Sequence, residues 1–156
     1  MKTTAIGLDI NKSQELAKSL NNLLASYQVF YMNVRGYHWN VKGPQFFELH
    51  VKFEEIYTDL LTKVDEIAER ILTIGETPLH SFSDYLSHSS IEEHKNARRA
   101  EDTVSGLVSG FQALLQEQRA LLSQASDADD EGTAAQMSDY IREQEKLIWM
   151  FNAWLQ

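Results

Sequence analysis

The sequence predicts an all-α protein built around four long helices. Only two prolines and seven glycines interrupt its 156 residues, and these two residue types disfavour helix interiors most strongly. Apolar residues recur at alternating steps of three and four along four separate stretches, which is the spacing of one face of an α-helix. We therefore expect a four-helix bundle that forms a single domain over residues 1–156.

The first two helices are predicted to form a hairpin. The first carries its apolar face from Leu16 to Tyr37 and is expected to end near Trp39. The second is expected to open at Pro44, since proline suits the first helical position, and to stop before Gly75 and Pro78. Its core face should consist of Phe46, Phe53, Ile56, Leu60, Val64, Ile67 and Ile71.

The two remaining helices follow a long connection, residues 76–89, in which one helical turn is expected around residues 82–86. Ser90-Ile91-Glu92-Glu93 has the pattern of a capping box, so the third helix should begin there. An acidic loop, residues 126–133, is predicted to precede the fourth helix. Gly106 and Gly110 lie four apart on the third helix and indicate a close approach or a bend. The long middle connection should cross the length of the bundle.

Composition and charge narrow the functional classes. The chain has 14 basic and 23 acidic residues, a formal charge of -9, which repels nucleic acid and anionic lipid. The absence of cysteine excludes disulfides, thiolate zinc sites and thiol catalysis, so a metal would need imidazole and carboxylate ligands. No signal peptide and no membrane-spanning run is recognisable, so we expect a cytoplasmic protein without membrane contact.

Two of the five histidines flank one turn, in the stretch "HWNVKGPQFFELH" at residues 38–50. If the hairpin is centred near Pro44, His38 and His50 are equally far from the turn and should face each other. Glu54 follows His50 by one helical turn on the same face. Imidazole together with carboxylate suits iron or zinc. A hydrogen-bonding or capping role is the alternative for either histidine.

A second acidic pair, Asp65 and Glu69, begins fifteen residues beyond His50, roughly 22 Å along a helix. One subunit cannot bring both groups to one metal. A two-fold pairing of the second helix with its symmetry mate could do so. The alternative is a solvated acidic face with Lys63 and Arg70 as partners.

Apolar residues strengthen the idea of an interface. Leu61 and Leu72 lie on the same face of the second helix as the candidate ligands, and such a mixed face usually meets another protein surface. The chain contains no E-x-x-H motif, so a di-iron centre within one bundle is not expected. A metal site built from both groups would therefore exist only in a dimer, and the solvated acidic face stays open as the alternative.

These motifs closely resemble the Dps family, the DNA-binding proteins from starved cells, also called mini-ferritins. The specific part is "HWNVKGPQFFELH", Glu54 and "DEIAERI" at residues 65–71. The resemblance implies a ferritin-like four-helix bundle with a short helix in the middle connection, and twelve subunits forming a hollow shell. It further implies oxidation of ferrous iron, preferentially with hydrogen peroxide and otherwise with oxygen, between two-fold related subunits, and storage of ferric mineral.

The resemblance also implies roles for individual residues. His38, His50 and Glu54 match ligands from one subunit, while Asp65 and Glu69 match those from its partner. Trp39 matches a tryptophan assigned to electron transfer, with simple packing as the alternative, and zinc is a possible competitor for iron. Four residues match the border of acidic three-fold pores through which iron enters, with an ordinary acidic loop as the alternative: Asp127, Asp129, Asp130 and Glu131.

A structural nucleoid-associated protein that compacts DNA is the alternative function. The first twelve residues offer only two lysines, and Lys95, Arg98 and Arg99 lie among acidic neighbours. With the negative net charge, this arrangement predicts weak or no duplex binding. His80, His88 and His94 receive no functional assignment from the sequence.

Overall fold

The computed structural model describes residues 2–156, which contain five helices and no β-strand longer than an isolated bridge. The all-α prediction is confirmed, including the short helix in the middle connection. The helices are α1 (Ile10–Asn40), α2 (Phe46–Thr73), α3 (Phe82–His88), α4 (Ala100–Asp127) and α5 (Glu131–Leu155).

The four long helices form two hairpins, α1 with α2 and α4 with α5, and α1 also packs against α4. The connection between α2 and α4 runs the length of α1. It begins where the Asn21 side chain donates to the Thr77 carbonyl and ends where the Lys42 amide donates to the Arg98 carbonyl. The predicted crossing of the bundle is therefore confirmed.

The core consists of the apolar faces that the periodicity predicts. Tyr27, Phe30, Phe53 and Phe111 are almost completely buried, and the Phe30 and Phe111 rings meet edge to face with centroids 5.1 Å apart. Gly110 permits this contact, since a Cβ there would collide with the Phe30 ring. The close approach predicted from the two glycines of α4 is thus observed.

A ring of three neutral side chains lies in the middle of the bundle. The Tyr27 hydroxyl donates to Gln118 Oε1 (2.5 Å), Gln118 Nε2 donates to Gln144 Oε1 (2.7 Å), and Gln144 Nε2 donates back to the Tyr27 oxygen (2.7 Å). All three residues are buried. Because each partner satisfies the next, the ring avoids the cost of unpaired polar groups.

The start of α4 differs from the prediction. Residues 89–99 are not helical, and the helix begins at Ala100. The Asn33 side chain donates to the Glu92 carbonyl and accepts from the His94 amide, which ties this segment to α1. An extended chain rises more than twice as far per residue as a helix, so this segment can span the bundle. The predicted capping box at Ser90 is wrong.

The start of α2 and the ends of the loop between α4 and α5 also differ from the prediction. Pro44 lies in the turn, and α2 begins two residues later, after Gly43 adopts a φ of +120°. Helices α4 and α5 extend into the predicted acidic loop and leave only residues 128–130 between them. Asp130 permits this short loop, because its carboxylate accepts from the Thr133 amide (3.0 Å) and caps α5.

None of the helices in residues 2–156 is both long and apolar enough to cross a membrane.

Candidate metal centre

The α1–α2 hairpin brings His38 and His50 together as the register predicts. Their rings stack with centroids 3.8 Å apart and planes inclined by 13°. His38 is buried and His50 is half-buried. Phe46 stacks on the outer side of His50 at 4.9 Å, and the Tyr57 ring meets His38 edge-on at 5.3 Å. Packing on both sides therefore fixes the orientation of the two imidazoles.

Each imidazole is also fixed by the main chain of the other residue. His38 Nδ1 lies 2.6 Å from the His50 carbonyl oxygen, and His50 Nδ1 lies 2.8 Å from the His38 carbonyl oxygen. A carbonyl can only accept, so both Nδ1 atoms carry a proton. In the neutral imidazole the lone pair is then on Nε2, the state in which a histidine binds a metal.

Glu54 lies beside His38, as its position one helical turn after His50 predicts. Its Oε1 atom lies 3.7 Å from His38 Nε2, and its side chain is 61% exposed. Within residues 2–156, no three side chains of the metal-binding types converge closely enough to hold an ion. His38, His50 and Glu54 of a single chain therefore do not by themselves form a closed set of metal ligands.

Asp65 and Glu69 lie on α2, far from the histidines, and both are exposed. The cations suggested as their partners are engaged elsewhere. Lys63 contacts Asp59 (2.6 Å) and Glu143 (2.8 Å), while Arg70 pairs with Asp130. Burial lowers the pKa of Lys63, but the hydrogen bonds to these two carboxylates outweigh that effect and raise it. The two cations thus leave Asp65 and Glu69 to other partners.

The face of α2 that carries these groups also exposes large apolar side chains. Val51, Leu61 and Leu72 are 57%, 49% and 58% exposed, although exposure of apolar surface is unfavourable in water. They are interspersed along the helix with Glu54, Asp65 and Glu69. An apolar surface of this kind is typical of a protein–protein contact.

Trp39 follows His38 directly on α1 and is 57% exposed. The Arg35 guanidinium lies 4.9 Å from the centre of its ring, and it also lies over Tyr31 (5.7 Å) and Tyr57 (5.3 Å). Arg35 was not among the residues that the sequence indicated as functional. Its spacing of four from both Tyr31 and Trp39 was the available signal, because such pairs are neighbours on a helix.

The acidic residues of the α4–α5 junction separate into two groups. Asp127, Asp129 and Glu131 are exposed. Asp130 is only 2% exposed and accepts from Arg70 Nη2 at 2.6 Å as well as from Thr133. Asp130 therefore serves as a helix cap and an ion-pair partner, so we restrict the proposed pore lining to the three exposed carboxylates.

Comparison with known proteins shows which family the chain belongs to. The family model of the ferritin-like domain matches residues 17–156. The crystal structure of the Dps protein from Vibrio cholerae O1, a member of a broad superfamily of ferritin-like diiron-carboxylate proteins, superimposes with a TM-score of 0.98. The two chains are 62% identical over 100% of this chain and 98% of that one. This chain belongs to the Dps family.

Other Dps relatives agree with this assignment. The Dps protein from Bacillus brevis superimposes with a TM-score of 0.92 at 37% identity, over the full length of both chains. The DNA protection during starvation protein of Porphyromonas gingivalis is 39% identical over 95% of this chain and 93% of its own. The ferritin-like fold of this Dps chain, expected from "HWNVKGPQFFELH" and "DEIAERI", is thus confirmed.

Proposed function

We propose that this Dps protein is a ferroxidase and an iron store. Ferrous iron is its substrate and binds between two-fold related subunits. One observation carries the proposal: two stacked histidines, whose Nδ1 atoms are both held by main-chain carbonyls, lie with the carboxylate of Glu54 beside an exposed, partly apolar helix face. A hydrogen-bonding role alone would not require the His38 Nε2 atom to lie 3.7 Å from a carboxylate oxygen of Glu54.

The second half of the site comes from the partner. If α2 packs antiparallel against its symmetry mate, the end of the helix that carries Asp65 and Glu69 lies beside the partner's histidine end. His38, His50 and Glu54 of one chain then meet these two carboxylates of the other. The exposed apolar residues of α2 supply the contact surface between the subunits.

The ligand set suits ferrous oxidation. Carboxylate oxygens are hard ligands and favour ferric over ferrous iron, while imidazole binds the ferrous ion on entry. We propose hydrogen peroxide as the preferred oxidant. Two ferrous ions each lose one electron, and one peroxide with two protons becomes two water molecules. No hydroxyl radical is released, so nearby DNA and protein are protected from oxidative damage. Zinc would compete for the same ligands without being oxidised.

We further propose that twelve subunits form a hollow shell that holds the ferric product. Asp127, Asp129 and Glu131 would border the pores by which iron enters, because exposed carboxylates attract cations. Trp39, the residue after His38 on α1, is proposed to take part in electron transfer. Light scattering tests the assembly: a mass of twelve subunits supports it, and an isolated monomer or dimer contradicts it.

An anaerobic ferrous titration followed by a peroxide pulse tests the ferroxidase site, with ferric absorbance as the readout. We expect fast oxidation in the wild type and a much slower rate in Asp65→Asn. Glu55→Gln is the matched control, since Glu55 is an exposed carboxylate on the same helix that pairs only with Lys52. Oxidation no faster than in buffer, or equal rates in all three proteins, would contradict the proposed site.

DNA compaction is the less favoured function for this chain. Arg99 lies 3.9 Å from Glu101, and the Arg98 side chain donates to Asn96, so acidic and polar neighbours engage the basic cluster. We propose weak or no duplex binding. A gel shift at low salt with sub-micromolar affinity would contradict this expectation.

A further inference from the structure

Tyr37 and His94 form a pair that the proposed iron site does not use. The Tyr37 hydroxyl lies 2.5 Å from His94 Nδ1, and the two rings meet edge to face with centroids 5.4 Å apart. Tyr37 is only 2% exposed, whereas His94 is exposed. A buried phenol is therefore directly connected to a base that faces water.

Residues of α1, α4 and α2 hold the Tyr37–His94 contact in place. Asn33 on α1 accepts a hydrogen bond from the His94 amide (2.9 Å) and thereby fixes the position of that residue. Gly106 on α4 leaves the space that the pair occupies, because a Cβ at this position would collide with the Tyr37 hydroxyl and the His94 ring. Phe53 on α2 packs against Tyr37 with ring centroids 5.7 Å apart.

The pair lies next to the candidate iron ligands along the chain. Tyr37 and His38 are consecutive residues of α1, so their Cα atoms are about 3.8 Å apart. Phe53, which packs on Tyr37, lies one helical turn beyond His50 on α2. The Tyr37 ring is therefore within about one helical turn of both candidate histidine ligands along the two helices.

Trp39 can pass an electron on, as proposed above, but it is less suited than Tyr37 to remain oxidised. Its ring lies 4.9 Å from the Arg35 guanidinium, and oxidation of an indole first creates a radical cation. Two positive charges would then lie side by side, which is unfavourable. The Tyr37 phenol can avoid a positive charge on its own ring, because His94 accepts the phenolic proton as the electron leaves.

We propose that Tyr37, with His94 as its proton acceptor, donates the second electron to peroxide when an iron site holds only one ferrous ion. This inference rests on the proposed ferroxidase function. The ferrous ion loses one electron and becomes ferric. Tyr37 loses one electron to become a neutral tyrosyl radical, and its proton moves to His94. Peroxide takes up both electrons and two protons from solvent and becomes two water molecules, so no hydroxyl radical is released.

Freeze-quench electron paramagnetic resonance tests the proposal on the assembled protein. The shell is loaded anaerobically with one ferrous ion per site and mixed with one equivalent of hydrogen peroxide. We expect a tyrosyl radical signal in the wild type and its loss in Tyr37→Phe, which keeps the buried ring. A spin trap in the same samples should report several-fold more hydroxyl radical in Tyr37→Phe.

A control variant separates this pair from other tyrosines. Tyr85→Phe removes the phenol of α3, whose hydroxyl donates to the Leu79 carbonyl, and should leave the radical signal unchanged. A tyrosyl signal that survives in Tyr37→Phe, or a wild-type signal with the spectrum of an indole radical, would overturn the proposal.

His94→Gln tests the role of the base, since glutamine can accept a hydrogen bond but cannot take up the proton. We expect a smaller radical yield and a shifted g-value; an unchanged spectrum would overturn the role of His94. The rate of iron oxidation at two ferrous ions per site distinguishes a failure of the Tyr37 proposal from a failure of the proposed ferroxidase function. Fast oxidation in both wild type and Tyr37→Phe leaves the ferroxidase intact whatever the radical result, whereas slow oxidation in the wild type overturns both.

Discussion

His38 and His50 hold each other across the α1–α2 turn, because Nδ1 of each ring donates to the main-chain carbonyl of the other residue. The two bonds cross between the helices and fix both rings at once. Each histidine therefore donates through its ring and accepts through its main-chain carbonyl. A displacement of either residue would weaken both hydrogen bonds. The pair therefore acts as one preorganised unit in which both Nε2 atoms remain free.

The split site predicts complementation between inactive variants. His50→Ala and Asp65→Ala should each be inactive alone. When they are co-expressed, every mixed two-fold interface contains one site with both defects and one intact site. Random pairing makes half of the interfaces mixed, so about a quarter of the sites should regain activity.

Peroxide-driven iron oxidation in the purified mixed shells measures this recovery. Co-expression of His50→Ala with His38→Ala is the control, because both changes remove a ligand from the same half of the site. That mixture should remain inactive. Equal activity in the two mixtures, or none in the first, would contradict a site divided between subunits.

Gly110→Ala should destabilise the protein although alanine is the better helix former. The added methyl group meets the Phe30 ring, and overpacking of a buried contact costs about 1–3 kcal/mol. Gly36→Ala is the matched control, since Gly36 is also helical and has nothing within 4 Å of an added Cβ. That change should stabilise by up to about 1 kcal/mol. Denaturant unfolding of both variants compares the two effects.

Arg70→Gln should lower the free energy of unfolding strongly. Asp130 is 2% exposed and pairs with Arg70, so the substitution leaves a buried carboxylate without its cation, at a cost of about 3 kcal/mol. Arg119→Gln removes a surface pair whose side chains are 55% and 53% exposed and should change stability by less than about 1 kcal/mol. Similar losses in the two variants would contradict this account.

Glu117 should make stability fall as pH rises through the acidic range. Burial raises the pKa of Glu117 from its ordinary value of 4.5, although hydrogen bonds from Ser26 and Ser90 act in the opposite direction. Between the ordinary and the raised pKa, the folded chain holds a proton that the unfolded chain has lost. The free energy of unfolding therefore decreases with pH in this window.

Denaturant unfolding at a series of pH values, at one protein concentration, measures this dependence. The variant Glu117→Gln cannot titrate, so its stability should lack that part of the slope. A slope identical to that of the wild type would show that Glu117 does not contribute. Ser90→Ala provides a second comparison, since its hydroxyl donates to the Glu117 carboxylate and its removal should raise the pKa of Glu117 further.

The sequence predicted the helices well where the apolar periodicity is long and regular. Leu16, Leu20 and Leu23 of α1 are all buried as expected, and α3 lies where a single helical turn was expected. The predicted start of α4 failed because Ser90 satisfies a capping pattern locally, while its amide instead donates to the Ser26 hydroxyl. A contact with a residue 64 positions away leaves no trace in the local pattern.

At the candidate site, too, the sequence predicted some features and not others. The spacing of His38 and His50 about the turn predicted that the rings would face each other, because an antiparallel hairpin has only one simple register. It did not predict the reciprocal main-chain bonds, the Phe46 and Tyr57 rings around them, or the burial of Asp130. These features depend on how helices rotate against one another, which side-chain packing decides.

The sequence by itself therefore determined the all-α class, the helix faces and the residues that resemble Dps ligands, since these depend on local periodicity and spacing. Only the tertiary structure decided which polar groups are satisfied within the chain and which remain exposed. Lys63 and Arg70 could have neutralised Asp65 and Glu69, but they turn to Asp59, Glu143 and Asp130. The energy of a charge depends on which groups surround it in space, and packing alone sets those surroundings.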